Sequence, residues 1–121
     1  MALDYLEFDY SEDEEGTATW DAMACVKAER VAALAAEIEQ LLSWASRAFA
    51  GRQGAAEDGF DWDYDLQAQD DDGQPLSARF DKGSGQLELQ ASATGRTTVN
   101  LSLSGSLQFG DALREAFDLE G

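Results

Sequence analysis

Residues 59–73 read GFDWDYDLQAQDDDG. Within this stretch Phe60, Trp62, Tyr64, Leu66 and Ala68 alternate without a break with Asp61, Asp63, Asp65, Gln67 and Gln69. Successive strand side chains point to opposite faces, so the pattern predicts a β-strand. One of its faces is aromatic and apolar, and the other carries three aspartates. A helix would scatter both sets around its circumference. The rest of the chain reads as cover for the aromatic face.

Upstream, GRQGAAED (51–58) connects this strand to a helix over Ala28–Ala50. Val31, Leu34, Ile38, Leu41, Leu42, Ala45 and Phe49 form one apolar stripe at helical spacing. High Ala content and the absence of Gly and Pro favour the helix, and Gly51 is placed to end it. Two strands precede it. Leu6, Phe8 and Tyr10 alternate with Glu7 and Asp9, and SEDEEG (11–16) forms a hairpin loop. In Thr17–Val26, Trp20, Ala22, Ala24 and Val26 share one face. Met23 and Cys25 lie on the other, which predicts that part of this strand is covered on both sides.

Downstream, DDDGQP (70–75) is a turn, followed by a strand with Leu76, Ala78 and Phe80 on one face. DKGSG (81–85) is a second turn, and Leu87 and Leu89 mark the next strand. After a turn near Gly95, Val99, Leu101 and Leu103 alternate with polar residues. Ser106 caps a last helix with Phe109, Leu113 and Phe117 on one face.

The expected fold is therefore α+β, a single domain over residues 1–121 with element order ββαββββα. An antiparallel sheet of about six strands carries the long helix on one face and a short C-terminal helix at its end. Short turns between the last four strands predict a meander. The expected core is Leu6, Phe8, Trp20, Leu34, Ile38, Leu41, Trp62, Tyr64, Leu66, Phe80, Leu87, Val99 and Leu101.

Composition narrows the function. Eight Lys and Arg stand against 25 Asp and Glu, a net charge of −17 in 121 residues. That balance argues against nucleic acid, whose phosphates need basic contacts, and against anionic membrane surfaces. No apolar run approaches the roughly 20 residues of a membrane helix, and no signal peptide is visible. Cys25 is the only cysteine, so no intrachain disulfide forms and a reducing, cytoplasmic setting is expected.

Histidine is absent, which removes Ser-His-Asp and Cys-His catalysis and every His-based metal site. Cys25, among Met23, Ala24 and Val26, reads as a small buried hydrophobe rather than a reactive thiol. Carboxylates are too common for any pair to mark acid–base chemistry, so no catalytic residue is assigned and the chain is read as non-enzymatic. Asp61, Asp63, Asp65 and Asp72 are spaced like part of a calcium loop, but Leu66 replaces the required Gly and Asp72 the bidentate Glu. No metal and no cofactor are expected. GSG (83–85) joins two strands and is not a phosphate loop.

Trp44 lies outside the apolar stripe of the long helix. Either the connector 51–58 folds over it or it serves as a binding anchor, and the covered reading is favoured. The leading functional expectation is a binding module, an inhibitor or immunity-type protein. It presents an acidic sheet face of Glu7, Asp9, Asp61, Asp63 and Asp65, with Trp44 as a candidate anchor, to a basic protein partner. The alternatives are a cation- or small-molecule-binding domain using the acidic turns, and a structural domain whose acidity serves solubility.

Overall fold

The computed structural model describes residues 3–14, 16–54, 60–81, 83–93 and 95–119. Seven strands and two α-helices follow in the order β1 (Phe8–Glu12), β2 (Ala18–Val26), α1 (Val31–Ala48), β3 (Trp62–Gln69), β4 (Pro75–Leu76), β5 (Ala78–Asp81), β6 (Gln86–Leu89), β7 (Thr97–Gly105) and α2 (Leu107–Phe117). A 3₁₀ turn, Ala28–Arg30, leads into α1. The α+β class, the antiparallel sheet and the two helices are as the sequence predicts.

The strand order differs from a meander. Five strands form one antiparallel sheet in the order β1-β2-β7-β3-β4, and β5 and β6 form a separate hairpin. The last strand thus enters the middle of the sheet. It pairs with β2 along nine residues and with β3 along eight. Residue types explain the choice. Val99, Leu101 and Leu103 on its inner side have no solvent exposure. Thr98, Asn100, Ser102 and Ser104 on its outer side carry no charge. A strand hydrophobic within and neutral without tolerates two neighbours better than an acidic one does.

The inner face is closed by both helices. Leu34, Ile38, Leu41, Leu42 and Ala45 of α1 and Phe109 and Leu113 of α2 are fully buried against Trp20, Trp62 and the β7 leucines. Trp62 and Phe109 stack at 5.6 Å with ring planes 5° apart. The Ser106 side chain caps α2 by accepting the Phe109 N–H at 3.2 Å. The residue before it, Gly105, must be small. A Cβ there would come within 2.5 Å of the Phe109 ring and 2.8 Å of the Asp61 carbonyl oxygen.

Leu6 is buried, yet β1 begins only at Phe8, because residues 4–6 bond to a side chain and not to a strand. The Glu37 carboxylate of α1 accepts the N–H groups of Asp4, Tyr5 (3.0 Å) and Leu6 (2.8 Å). Glu37 is itself only 8% exposed. Glu39 likewise accepts the Leu87 N–H at 2.9 Å, and the Ser43 hydroxyl donates to the Gly85 carbonyl at 3.3 Å. The helix therefore fastens the N-terminal segment and the β5–β6 hairpin through polar side chains at its flanks.

Of the expected core, Phe8, Tyr64, Leu66 and Leu87 are only partly buried. Phe60 lies before β3 and is 42% exposed, so it does not share the aromatic face with Trp62. Met23 is 66% exposed and Cys25 is exposed, so β2 is covered on one side only. Apolar character alone misassigns these two side chains. They sit on the face that carries Asp21, and that face is wet.

Four substitutions test this packing. Ile38→Ala should cost about 2–5 kcal/mol, and Leu66→Ala, at the partly open rim, clearly less. Gly110→Ala should stabilise by roughly 0.5–1 kcal/mol through helix propensity. The added methyl meets only Ala18 and Trp20, both at an ordinary 3.7 Å. Gly105→Ala should destabilise by about 1–3 kcal/mol, because Phe109 must shift off Trp62. Chemical denaturation of the variants measures all four.

Candidate functional site

The side chains of the open sheet face follow from register. Asp9 of β1 lies opposite Asp21 of β2, Asp21 opposite Ser102 of β7, and Ser102 opposite Asp65 of β3. One cross-strand row thus reads Asp9, Asp21, Ser102, Asp65. The next reads Ser11, Thr19, Ser104, Asp63. Asp9, Asp21 and Asp65 are exposed and Asp63 is half-buried. Met23 stands beside Asn100 on the same face as its one large exposed apolar side chain among the described residues.

The geometry selects among the residues expected from sequence. Asp63 and Asp65 are brought together on β3. Asp61 precedes the strand and is held in an ion pair with Arg52 at 2.7 Å, leaving its side chain 22% exposed. Strand one does not lie beside β3. Two strands separate Asp9 from Asp65, roughly 14 Å at ordinary strand spacing. Glu7 is exposed and lies just before β1.

Trp44 is not on this surface at all. It packs on the helix side of the sheet, with ring centroids 5.5 Å from Phe117, 6.1 Å from Phe109 and 6.2 Å from Phe49. It is half-buried, and α2 and Phe49 supply the cover it has. Residues 55–58 of the connector lie outside the described residues. What remains open beside Trp44 is a cleft of about 300 Å³ lined with Ser43, Arg47 and Phe117.

Asp21 is the residue that sequence reasoning missed. Its signal was available, since it alternates with Met23 and Cys25 on the face opposite Trp20. Treating that face as covered hid it. Its carboxylate accepts the Ser102 hydroxyl at 2.5 Å. Asp63 accepts the Gln53 side-chain amide at 3.2 Å and the Tyr64 N–H at 2.8 Å. Burial pushes the Tyr64 phenol up from its usual range, and the charge on Asp63 adds to this.

The acidic turns behave differently. Asp70 accepts the N–H groups of Asp72 and Gln74, both at 2.9 Å. Asp71 accepts the Arg96 N–H at 3.0 Å, Asp81 that of Gly83 at 2.9 Å, and Asp13 that of Thr17 at 2.8 Å. Asp70, Asp81 and Asp13 act as local turn caps, and Asp71 ties its turn to the segment before β7, each satisfying backbone donors that would otherwise need water. Among the described residues, no three His, Cys, Asp or Glu side chains are arranged to hold a metal ion, and no helix is long and apolar enough to cross a membrane.

Like charges directly opposite on adjacent strands destabilise a sheet. Asp9→Lys converts the Asp9–Asp21 contact to an opposite-charge pair, and should stabilise the protein by about 0.5–1 kcal/mol at low salt. The gain should shrink as salt is raised. Thermal melts at two ionic strengths check both statements.

No family model, no curated protein and no solved structure matches this chain.

Proposed function

We propose that the protein is a non-enzymatic binding module that presents the outer face of its five-stranded sheet to a basic protein partner. The observation that carries this reading is the Asp9–Asp21–Ser102–Asp65 row with Asp63 beside it. Four carboxylates share one face, and none of that face's described strand residues is Lys or Arg. A surface built only for solubility mixes both signs, because opposite charges interspersed lower the self-repulsion. Here repulsion is accepted on one face.

The role of each residue follows from its position. Asp65 and Asp21 supply field and contacts at the centre, and Asp9 extends them toward the edge. Met23 supplies an adaptable apolar contact within the charged surround. Such a face steers a basic partner by long-range attraction and fixes its register on docking. An inhibitor or immunity-type role in a reducing compartment agrees with this chemistry. The alternative of cation binding at the acidic turns is less favoured, because Asp70, Asp71 and Asp81 already accept backbone N–H groups.

Octalysine, followed residue by residue in amide spectra, tests the reading. Perturbations should concentrate at Asp9, Asp21, Met23, Ser102 and Asp65. The triple variant Asp21→Asn, Asp63→Asn, Asp65→Asn should bind about tenfold more weakly at low salt, at roughly 0.5 kcal/mol for each exposed contact, with a shallower salt dependence. A control triple of Glu29→Gln, Glu88→Gln and Glu115→Gln should bind nearly as the parent. Perturbations scattered over all acidic residues, or equal weakening by both triples, would leave the face with solvation as its only role.

A further inference from the structure

The strand that bears Asp63 and Asp65 is paired along its full length on one side only. Toward β7 it forms eight residue pairs, Trp62 to Gln69. On its other rim β4 pairs with only Ala68 and Gln69. At the opposite end Arg52 and Gly54 close the rim, since the Trp62 N–H donates to the Arg52 carbonyl at 3.3 Å and the Trp62 carbonyl accepts the Gly54 N–H at 2.8 Å. Among the described residues, the stretch Asp63–Gln67 between these two closures has no strand bonded to it in the ladder, although β5 runs nearby with the Phe80 ring 6.4 Å from that of Tyr64.

Backbone direction along that stretch is fixed by alternation. Trp62 points its N–H and C=O to the rim, so Tyr64 and Leu66 do the same. The Tyr64 N–H is taken by the Asp63 carboxylate. The Tyr64 C=O and both Leu66 groups are directed at the rim. The segment that would continue β4 along them is β5, but it pairs with β6 instead, in a hairpin fastened to α1 through Glu39 and Ser43. Where β5 departs, a cleft of about 330 Å³ opens, lined with Gln53, Tyr64, Asp65, Leu66, Ala78, Arg79 and Phe80, so that among the described residues Arg79 is the one cation already beside the carboxylates and a second strand's cations would add to it. The Gln53 Oε1 atom, on this cleft's lining residue, is buried without a hydrogen-bond partner.

We propose that the rim of β3 from Asp63 to Gln67 accepts an extended segment of a basic protein as an added antiparallel strand. This rests on the acidic-face reading and specifies the form of the partner. Charge complementarity and pleat decide the segment's chemistry. Side chains on the outer side of an added strand stand next to Asp63 and Asp65, which calls for Lys or Arg. Those on the inner side stand over the cleft beside Tyr64 and Leu66, which calls for apolar residues. The occupant is thus a segment with basic and apolar residues in alternation, held by main-chain bonds for affinity and by alternate side chains for specificity. The other edge, β1, offers a rim as well, but there Phe8 and Tyr10 lean on Trp20 and leave the acidic pair Asp63 and Asp65 out of reach.

The probe is a capped hexapeptide alternating lysine and valine, added to the full chain. Its valines face Tyr64 and Leu66 and carry the bonded N–H groups, while its lysine N–H groups point away. Exchange of the Leu66 amide should slow on the order of tenfold at saturation, as expected when a free donor gains a partner. N-methylation of the valines should weaken binding on the order of tenfold or more, and N-methylation of the lysines should not. Equal effects of the two modifications, an unchanged Leu66 amide, or protection of Phe8–Glu12 in its place would each overturn the assignment. If the Asp21 and Asp65 amides still respond to the peptide in a salt-dependent way, the acidic face stands and only the rim fails. If they do not respond, both readings fail together.

Discussion

The arrangement depends on a single central strand that bears no charge on either face. β7 turns Val99, Leu101 and Leu103 inward and Thr98, Asn100, Ser102 and Ser104 outward. Its neighbours carry Asp21 on one side and Asp63 and Asp65 on the other. If β2 and β3 were adjacent, carboxylates would face carboxylates across one strand spacing. With β7 interposed they stand two spacings apart, roughly 9.5 Å, close to the distance at which physiological salt screens exposed charges. The same strand leads through Gly105 and Ser106 into α2, whose Phe109 stacks on Trp62. Sheet order, electrostatic tolerance and the closing of the core therefore share one cause.

Among the described acidic residues, two groups follow different physics. Glu37, Glu39, Asp13, Asp70, Asp71 and Asp81 accept backbone N–H groups. A charged acceptor makes each such bond worth about 1.5–3 kcal/mol, so these residues hold the fold. Asp9, Asp21 and Asp65 accept no backbone donor in this way and oppose or flank one another. They weaken the isolated protein by a few tenths of a kcal/mol per contact. Net charge cannot separate the two populations, whereas the hydrogen-bond partners do. The functional reading stands on the second group, with Asp63, which accepts the Tyr64 N–H, beside it.

Period and residue type made much of this legible. The Trp62–Ala68 alternation and the α1 stripe each specify a conformation from local residues only, and both elements form where the sequence places them. Strand order was less accessible. It turns on which outer faces can bear adjacency, a comparison between segments far apart in the chain. Trp44 shows the same limit, because its cover arrives from Phe109 and Phe117 some 65 or more residues later. Cys25 and Met23 fail for a different reason. Apolar side chains are common on wet faces, and only the company of Asp21 tells which kind of face this is. Within the candidate site, Asp63 and Asp65 follow directly from alternation. Asp61 is lost because Arg52, in a connector without period, claims it.

The open rim of β3 is a consequence of a competition that the chain resolves against the larger sheet. Counting on from the Ala68–Leu76 pair, a straight continuation would set Ala78 against Leu66, Arg79 against Asp65 and Phe80 against Tyr64. That register is chemically agreeable, for it matches a cation to a carboxylate and two aromatic rings to each other. The chain keeps the ring contact, Phe80 standing edge-on to Tyr64 at 6.4 Å, but forgoes the backbone pairing. Phe80 reaches the core at 9% exposure, and β5 makes its backbone bonds to β6. Burying a phenylalanine side chain contributes about 2–3 kcal/mol, while the bonds to β6 replace those that pairing with β3 would have supplied. An exposed cross-strand ion pair would return less than about 1 kcal/mol. The balance favours departure of β5. Among the described residues, it leaves the Tyr64 carbonyl and the Leu66 backbone groups without a strand partner beside Asp63 and Asp65.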